Sequence, residues 1–579
     1  MNTRPPCPTA VFRAARDTLL RHRTDPAAAG RDFRWPRPAA FNWALDWFDA
    51  VAADPARRDR TALRLVRGAR PEDDTVLTWG ELSRRSARLA NWLHGLGLRR
   101  GDPVLLLLDN QEALWETMLA CVGLGAVLVP TYITATAPEL DDRAERARVR
   151  CVVADAALIE RSPGWRPDVP LAIAVPAAGP GWTSYEDHRA ASAAFRPDGP
   201  TGAHDPLLRY FTSGTTTRPK LVEHTHTSYP VGHLSGMYWN GLLPGDVHLN
   251  LSAPGWAKHA WSSFFTPWNA EAAVVALDSV ASARPDAVLD VLRTRAVTSL
   301  CAPPAVWRAL LAEGPGPRPP ALREAVSAGE PLDAGLLDSF RRAWGIDVRD
   351  GYGQTETTAR LGWTPGTSPL PGHIGSPLPG CGALLIDPDT GREAATGTPG
   401  ELCLDLAEHP VGLMRGYPDD PVRTAETFAG GLYRTGDLMV RSPGGVLRCL
   451  GRTDDQFNSF GHRLSPQELE AAVLRCPAVR EAAVVPVPDP AGSRVPKAYA
   501  VLAPGARAGT AAEAVFALLR AELPEEKRIR ALEFRASLPR TPSGKVRRAA
   551  LRDAPPGTEH RPRAPGTPPT TRSGGPAPV

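Results

Sequence analysis

Apolar residues recur along this chain in two rhythms. From Leu82 to His94, Leu82, Leu89 and Leu93 fall on one face of a helix, with Thr78 and Glu81 as a capping box ahead of it and Gly95 as a stop. Phe41 to Val51 has the same amphipathic character. Between such segments stand short unbroken apolar runs: Val104 to Leu108 after Gly101-Asp102, and Ala126 to Pro130 after a helix over Glu112 to Gly123. Runs of that length read as strands buried on both faces, as in parallel sheets. Helix and strand in alternation predict an α/β domain of parallel and mixed sheets. Val297 to Pro303 and Ala325 to Pro331 predict two more strands, and Asp350 to Thr358 reads as a polar loop.

From Gly461 the pattern changes. Ser465-Pro466-Gln467-Glu468 is a second capping box with proline at the first helical position, followed by Leu469, Val473 and Leu474 at helical spacing. Strand signals at Ala482 to Val487 and Ala498 to Leu502 precede a helix over Ala511 to Leu523. A boundary near Asp454 therefore predicts a small α+β domain of about a hundred residues behind a large one. Residues 1–38 carry Pro and Arg without periodicity and read as a loose leader, and 553–579, rich in Pro, Gly and Thr, as a disordered tail. The expected division is 1–38, 39–453, 454–552 and 553–579.

Composition narrows the class. No apolar run approaches the ~20 residues of a membrane span, and the start lacks a signal-peptide core, so a soluble cytoplasmic protein is expected. The eight cysteines are scattered without metal-ligand spacing, which predicts reduced thiols. A net charge of +4, with no Arg-rich segment interleaved with aromatics, gives no support for nucleic-acid binding. Of 67 basic residues five are lysine (Lys220, Lys258, Lys497, Lys527 and Lys545), and two of these end phosphate-type motifs. A compact ammonium on a flexible stem follows a moving phosphate better than a planar fork.

The first of those motifs is Phe211-Thr-Ser-Gly-Thr-Thr-Thr-Arg-Pro-Lys220. Thr212, Ser213, Gly214, Thr215, Thr216 and Thr217 offer hydroxyls and unencumbered backbone N–H groups to an anion, with the Lys220 charge beside them. The alternative is a solvated surface turn. It is not a Walker A loop, since Gly544-Lys545 is followed by Val546. Trp256, Trp261, Phe264, Phe265 and Trp268 read either as core or as the wall of an apolar pocket. His224, His226 and His233 lack partner cysteines and are expected to be ordinary helix histidines.

Five stretches fall together in order: Tyr210 to Lys220, Asp350-Gly-Tyr-Gly-Gln-Thr-Glu-Thr357, Tyr433-Arg-Thr-Gly-Asp437, Gly451-Arg-Thr-Asp-Asp through Gly461-His-Arg463, and Leu538-Pro-Arg-Thr-Pro-Ser-Gly-Lys545. This set, spanning Phe41 to Arg548, resembles the adenylate-forming superfamily of acyl-CoA synthetases, carrier-protein adenylation domains and luciferases. The segment Gly255 to Trp268 is most similar to medium-chain acyl-CoA synthetases.

The resemblance implies an AMP-forming acid-thiol ligase that is a monomer or homodimer using ATP, Mg²⁺ and coenzyme A, with a place in fatty acid metabolism. Thr212 to Thr217 and Lys220 would hold the β- and γ-phosphates, Lys545 and Thr355 the α-phosphate, and Glu356 the metal. Tyr352 would stack on adenine against Gly329-Glu330-Pro331, with Asp350 and Gly353 beside it. Asp437 and Arg452 would take the ribose, Arg463 would orient phosphate, and Trp256 and Gly353 would bound the acid pocket. The C-terminal domain, carrying Lys545, would turn about Asp454 and open a thiol tunnel past Gly461. Two departures matter. The family has glycine where this chain has Thr217, and a β-branched residue at positive φ costs roughly 1–3 kcal/mol. Acetate-activating relatives carry tryptophan at the position of Gly353, so glycine there implies an acid larger than acetate. Transfer of an unusual acid to an amine or carrier protein, or a nucleotide-binding scaffold without catalysis, stay open as alternatives.

Overall fold

A computed structural model describes residues 7–161, 165, 167–177, 179–212, 218–330, 332, 334–459, 462–489, 494–540, 546–555 and 557–562. The chain divides into two units, Met1–Thr435 with Val440–Cys449, and Gly436–Met439 with Leu450–Val579.

The first unit is built on two large sheets of seven and nine strands. In the seven-stranded sheet Pro103–Leu107, Val127–Pro130, Cys151–Asp155 and Leu171–Val175 run parallel, and every residue of Pro103–Leu107 is buried, as its unbroken apolar run requires. The edge of this sheet is a hairpin of Pro206–Thr212 and Lys220–Thr225. In the nine-stranded sheet Val247–Asn250, Ser299–Cys301, Glu324–Ala328 and Val348–Tyr352 are parallel neighbours, with Ser327 opposite Asp350. Helix Trp79–Gly95 carries the expected Thr78/Glu81 capping box, and Glu112–Leu124 ends at Gly125 in the left-handed region at φ 76°.

Several expectations are corrected here. The leader is helical from residue 8, as Pro8–Arg21 and Pro26–Asp32, because the prolines that suggested a loose segment occupy first-turn positions, where no N–H is missed. Phe12 is buried against Phe41 and Trp47, at ring distances of 5.4 and 4.9 Å, and Arg16 pairs with Glu271. Phe41 to Val51 becomes a π-helical turn, Trp43–Phe48, followed by Asp49–Ala52. Asp350, Gly351 and Tyr352 belong to a strand and not to a polar loop. His224 lies on a strand, His226 in a turn, and His233 caps a helix, so none is a helix-face histidine; all three are buried.

In the second unit, Val479–Pro488 and Arg494–Leu502 pair antiparallel, and Ala531–Phe534 joins parallel. Pro466–Leu474 and Ala508–Glu522 pack Leu469, Val473, Val515 and Leu519 onto Val484 and Leu532. The tail is corrected in part. Glu559–His560 adds a strand beside Ala531–Phe534, and the buried Lys497 ammonium lies 2.8 Å from Glu533 and 2.5 Å from Glu559. Residues 563–579 lie outside the described set. Among the described residues no helix is long and apolar enough to cross a membrane.

Lys497→Met leaves the buried Glu533 carboxylate with Arg535 as its remaining ion-pair partner. Deleting one member of a buried pair costs roughly 3–5 kcal/mol, and the remaining arginine should reduce that to about 2–3 kcal/mol. Urea titration of the full chain measures it. A change under about 1 kcal/mol would show that Lys497 does not hold the terminal strand.

Candidate active site

The hydroxyl-rich stretch connects the two strands of the Pro206–Thr212/Lys220–Thr225 hairpin, whose register sets Thr212 opposite Lys220. Ser213, Gly214, Thr215, Thr216 and Thr217 lie outside the described residues. Strand alternation carries Lys220, Val222 and His224 onto one face. Lys220 Nζ stands 5.4 Å from the ring centroid of Tyr417, and the Tyr417 hydroxyl donates to Glu356 Oε1 at 3.2 Å.

Two residues along from Val222, His224 reaches the same loop. Its Nε2–H donates to the Thr355 carbonyl at 2.7 Å, while Nδ1 lies 2.9 Å from Ser228 Oγ. A carbonyl only accepts, so the tautomer is fixed with Nδ1 as acceptor, and the serine oxygen takes the Thr225 N–H at 2.8 Å. Burial pushes the imidazole down to about 4, which keeps it neutral.

The Thr355–Glu356 loop is pinned on its other sides as well. Gln354 Nε2 donates to the Thr435 carbonyl and Gln354 Oε1 accepts from the Tyr433 hydroxyl, both at 2.8 Å. Met414 N–H closes on the Glu356 carbonyl at 2.8 Å. Thr212, Lys220, Thr355 and Glu356 are thus brought to one corner of the first unit.

A second wall comes from the ends of parallel strands. Glu324–Ala328 runs into Gly329 at φ 106°, and Lys258 donates to the Ala328 carbonyl. Glu330 follows half-buried, and Pro331 lies outside the described residues. Asp350 accepts from Gly351 N–H at 2.9 Å and Leu332 N–H at 3.4 Å; burial pushes its carboxyl up to about 7, partly offset by these donors and by the Lys258 charge. Tyr352 ends the strand half-buried. A side chain on Gly353 would start 2.6 Å from the Thr358 carbonyl oxygen. The glycine therefore allows a close backbone approach, and the expected room for a larger acid is not found in that direction. Trp256 stacks on Tyr132 at 5.3 Å, with Arg143 4.1 Å from the centre of the Tyr132 ring.

In the second unit Arg452 lies 3.5 Å from Asp437 and 3.2 Å from Asp454. Gly436 permits this, since a Cβ there would meet Arg452 Nη2 at 2.5 Å. Arg463 occupies the strand His462–Leu464 opposite Asn458. Gly461 and Lys545 lie outside the described residues. The chain flanking Lys545 is anchored by an Arg540–Val546 bridge and by Arg548, which is paired with Glu470 at 2.8 Å.

Tyr417 escaped sequence reasoning because nothing local marks it. The sequence reading makes His224 a helix histidine; its even spacing from Lys220 along one strand is the signal that would have placed it. Hydroxyl and carboxylate oxygens at Thr355 and Glu356 suit a hard cation such as Mg²⁺. Among the described residues no group of three His, Cys, Asp or Glu side chains forms a resident metal cage. Mg²⁺ carried on nucleotide phosphates needs only one or two protein carboxylates.

Two family models match: AMP-binding enzyme over residues 49–418 and AMP-binding enzyme C-terminal domain over 468–545. The chain is 36% identical to 4-hydroxybutyrate–CoA ligase 1 of Metallosphaera sedula, covering 88% of this chain and 90% of that one. It is 32% identical to mitochondrial acyl-coenzyme A synthetase ACSM3 of Mus musculus, covering 90% and 92%. Among solved structures, the anthranilate CoA ligase AuaEII in complex with anthranoyl-AMP superposes with TM-score 0.78 at 26% identity, covering 89% of this chain and 98% of that one. ATP-bound MatB from Rhodopseudomonas palustris gives 0.77 at 26%, covering 89% and 99%.

Asp350 yields a pH test. Its folded carboxyl titrates near about 7, above its ordinary value of 3.8, so the fold holds a proton that the unfolded chain has released. That contribution is complete at low pH and is lost as pH rises toward neutrality. Asp350→Asn should therefore gain stability relative to the parent between about pH 5 and about pH 8, by an amount on the order of 2–4 kcal/mol. Calorimetric melting of both proteins across that range checks it, and a pH-independent difference would refute the assignment.

Proposed function

The chain belongs to the AMP-binding enzyme family, and from that premise we propose that it activates a carboxylic acid with ATP and transfers the acyl group to coenzyme A. In the first step a carboxylate oxygen attacks the α-phosphorus, the bond to the β-phosphate breaks, and pyrophosphate leaves with an acyl-adenylate formed. In the second the coenzyme A sulfur, having lost its proton, attacks the acyl carbon and AMP departs. The observation that carries this reading is the corner at which Lys220 and Glu356 meet across Tyr417, a cation and a carboxylate set beside a hydroxyl-rich hairpin connection. Fixed charges at a developing phosphate charge lower the barrier because they need no reorganisation.

In this reading Thr212 to Thr217 and Lys220 take the β- and γ-phosphates, Thr355 and Lys545 the α-phosphate, and Glu356 the metal. Mg²⁺, when bound, neutralises phosphate charge. Tyr352, Gly329, Glu330, Pro331, Asp350 and Gly353 frame the adenine, and Asp437 and Arg452 bind the ribose, with Arg463 toward phosphate. Residues 454–552 form the mobile domain that brings Lys545 to the first step and turns about Asp454 for the second. Two of the similar proteins are named for 4-hydroxybutyrate and for anthranilate, which supports an acid larger than acetate, aliphatic or aryl.

The test is pyrophosphate release over a panel of straight-chain, hydroxy and aryl acids, with and without coenzyme A, and products identified by mass. Acyl-CoA formed only with coenzyme A is expected. Turnover indifferent to coenzyme A would transfer the assignment to an amine or carrier-protein acceptor, and no release with any acid would favour a scaffold. Independently, Thr217→Gly should lower the ATP KM by about fivefold or more if threonine strains the loop; an unchanged or higher KM argues against that strain.

A further inference from the structure

Tyr417 touches both halves of the proposed phosphate and metal site, and none of the sequence motifs includes it. It is buried, at 4% exposure. Its backbone is fixed by Thr424, whose Oγ1 accepts the Tyr417 N–H at 2.9 Å, and by Asp420, whose N–H closes on the Tyr417 carbonyl at 3.0 Å. Gly416, immediately before it, receives the Glu223 N–H at 3.0 Å, and Arg415 N–H returns to the Glu223 carbonyl at 2.7 Å. That pairing attaches the tyrosine's own segment to the strand bearing Lys220 and His224. From this platform the ring faces the Lys220 ammonium and the hydroxyl holds Glu356.

We propose that Tyr417 and His224 are positioning residues that lock the metal carboxylate to the phosphate hairpin, Tyr417 through the Glu356 side chain and His224 through the Thr355 carbonyl. The inference rests on the roles proposed above for Glu356 and Lys220. Glu356 has three side-chain torsions, and a lone carboxylate on a half-buried loop would sample several of them. The phenolic O–H reduces that freedom by holding one carboxylate oxygen, so the other is presented in a constant direction. His224 acts one bond earlier, on the orientation of the Thr355–Glu356 peptide. The two struts start from one hairpin and its attached segment, so the hairpin and the metal-binding loop hold a common geometry before substrate arrives.

The substitutions separate the two ends of Tyr417. Tyr417→Phe keeps the ring under Lys220 and deletes only the hydroxyl; Tyr417→Leu removes both contacts. Mn²⁺ replaces Mg²⁺ as the probe, its binding to the full-length enzyme with ATP and no acid read by the loss of the free Mn²⁺ paramagnetic resonance signal. For Tyr417→Phe the Mn²⁺ dissociation constant should rise about tenfold, the lower range for a hydrogen bond to a charged group, with the KM for acid unchanged within about twofold. Tyr417→Leu should add a rise of about threefold in the ATP KM, the size of an exposed cation–π contact. His224→Gln, which retains an N–H for the Thr355 carbonyl, should bind Mn²⁺ more tightly than His224→Ala.

Glu356→Gln completes a cycle. If Tyr417 acts through the carboxylate, Tyr417→Phe has no further effect on Mn²⁺ binding in the Glu356→Gln background. Should Glu356→Gln itself leave Mn²⁺ binding intact, the metal role of Glu356 fails and the positioning role falls with it. A strong Glu356→Gln effect with an unaltered Tyr417→Phe, or an equal rise in the acid KM, overturns the positioning role alone.

Discussion

A single imidazole N–H joins two parts of the chain 131 residues apart, from His224 to the Thr355 carbonyl. The site depends on this kind of contact, because a loop of small polar residues has too little apolar surface to hold itself in place. Thr355 and Glu356 cannot be both accessible to a nucleotide and packed into a core. Their geometry is therefore imposed from neighbouring segments by directional bonds, at the imidazole, at Tyr417, and at Gln354 between Tyr433 and Thr435. Burial makes the imidazole bond dependable. With its proton site far below neutrality and its second nitrogen occupied by Ser228, the ring has one arrangement across the physiological range.

The sheets supply the other half of the constraint. Parallel neighbours Glu324–Ala328 and Val348–Tyr352 end side by side, which carries Gly329 and Tyr352 to one edge through backbone register. The cost is a carboxylate at Asp350 inside the sheet, held protonated more readily than an exposed one. At the other end of the strand Glu324 is shared by Arg23 of the N-terminal segment, by Arg323 and by Arg349, whose remaining donors reach the Trp363, Trp239 and Asn240 carbonyls. The helical leader is thus tied to the strand next to the one that carries Asp350 and Tyr352.

How much of this was legible in the sequence depended on the range of the interaction. The capping box at Thr78 is a local device and was visible at once; at Ser465 the serine caps the Glu468 N–H, and the reciprocal Glu468 bond that the pattern predicted is not among the contacts of the cap. Buried strands such as Pro103–Leu107 announced themselves by unbroken apolar runs. What failed was anything whose reason lay far away. Pro8 and Pro26 looked like breakers until Phe12 and Arg16 were seen to be received by Trp47 and Glu271. Gly353 looked like vacant space until the Thr358 carbonyl was found there. Tyr417 had no signal, since its meaning comes from Lys220 and Glu356, both remote in sequence. The contacts that orient the motif residues Thr355 and Glu356 come largely from residues outside those motifs.

Lysine usage supports the same separation. Arginine does the structural pairing here: Arg349 divides its fork between Glu324 and three carbonyls, and Arg548 grips Glu470 with two nitrogens. Lysine stands where a small charge fits and a fork does not: Lys220 against a tyrosine ring, Lys258 under a strand-end carbonyl, and Lys497 between two carboxylates. Lys527, half-exposed and 3.5 Å from Glu468, shows that the preference is not strict. A planar guanidinium at 220 would bring several directed donors to a position for which we propose a phosphate whose charge moves during reaction. An ammonium has no preferred plane, so it can face the Tyr417 ring before a phosphate arrives and turn to that phosphate afterwards without the strand moving.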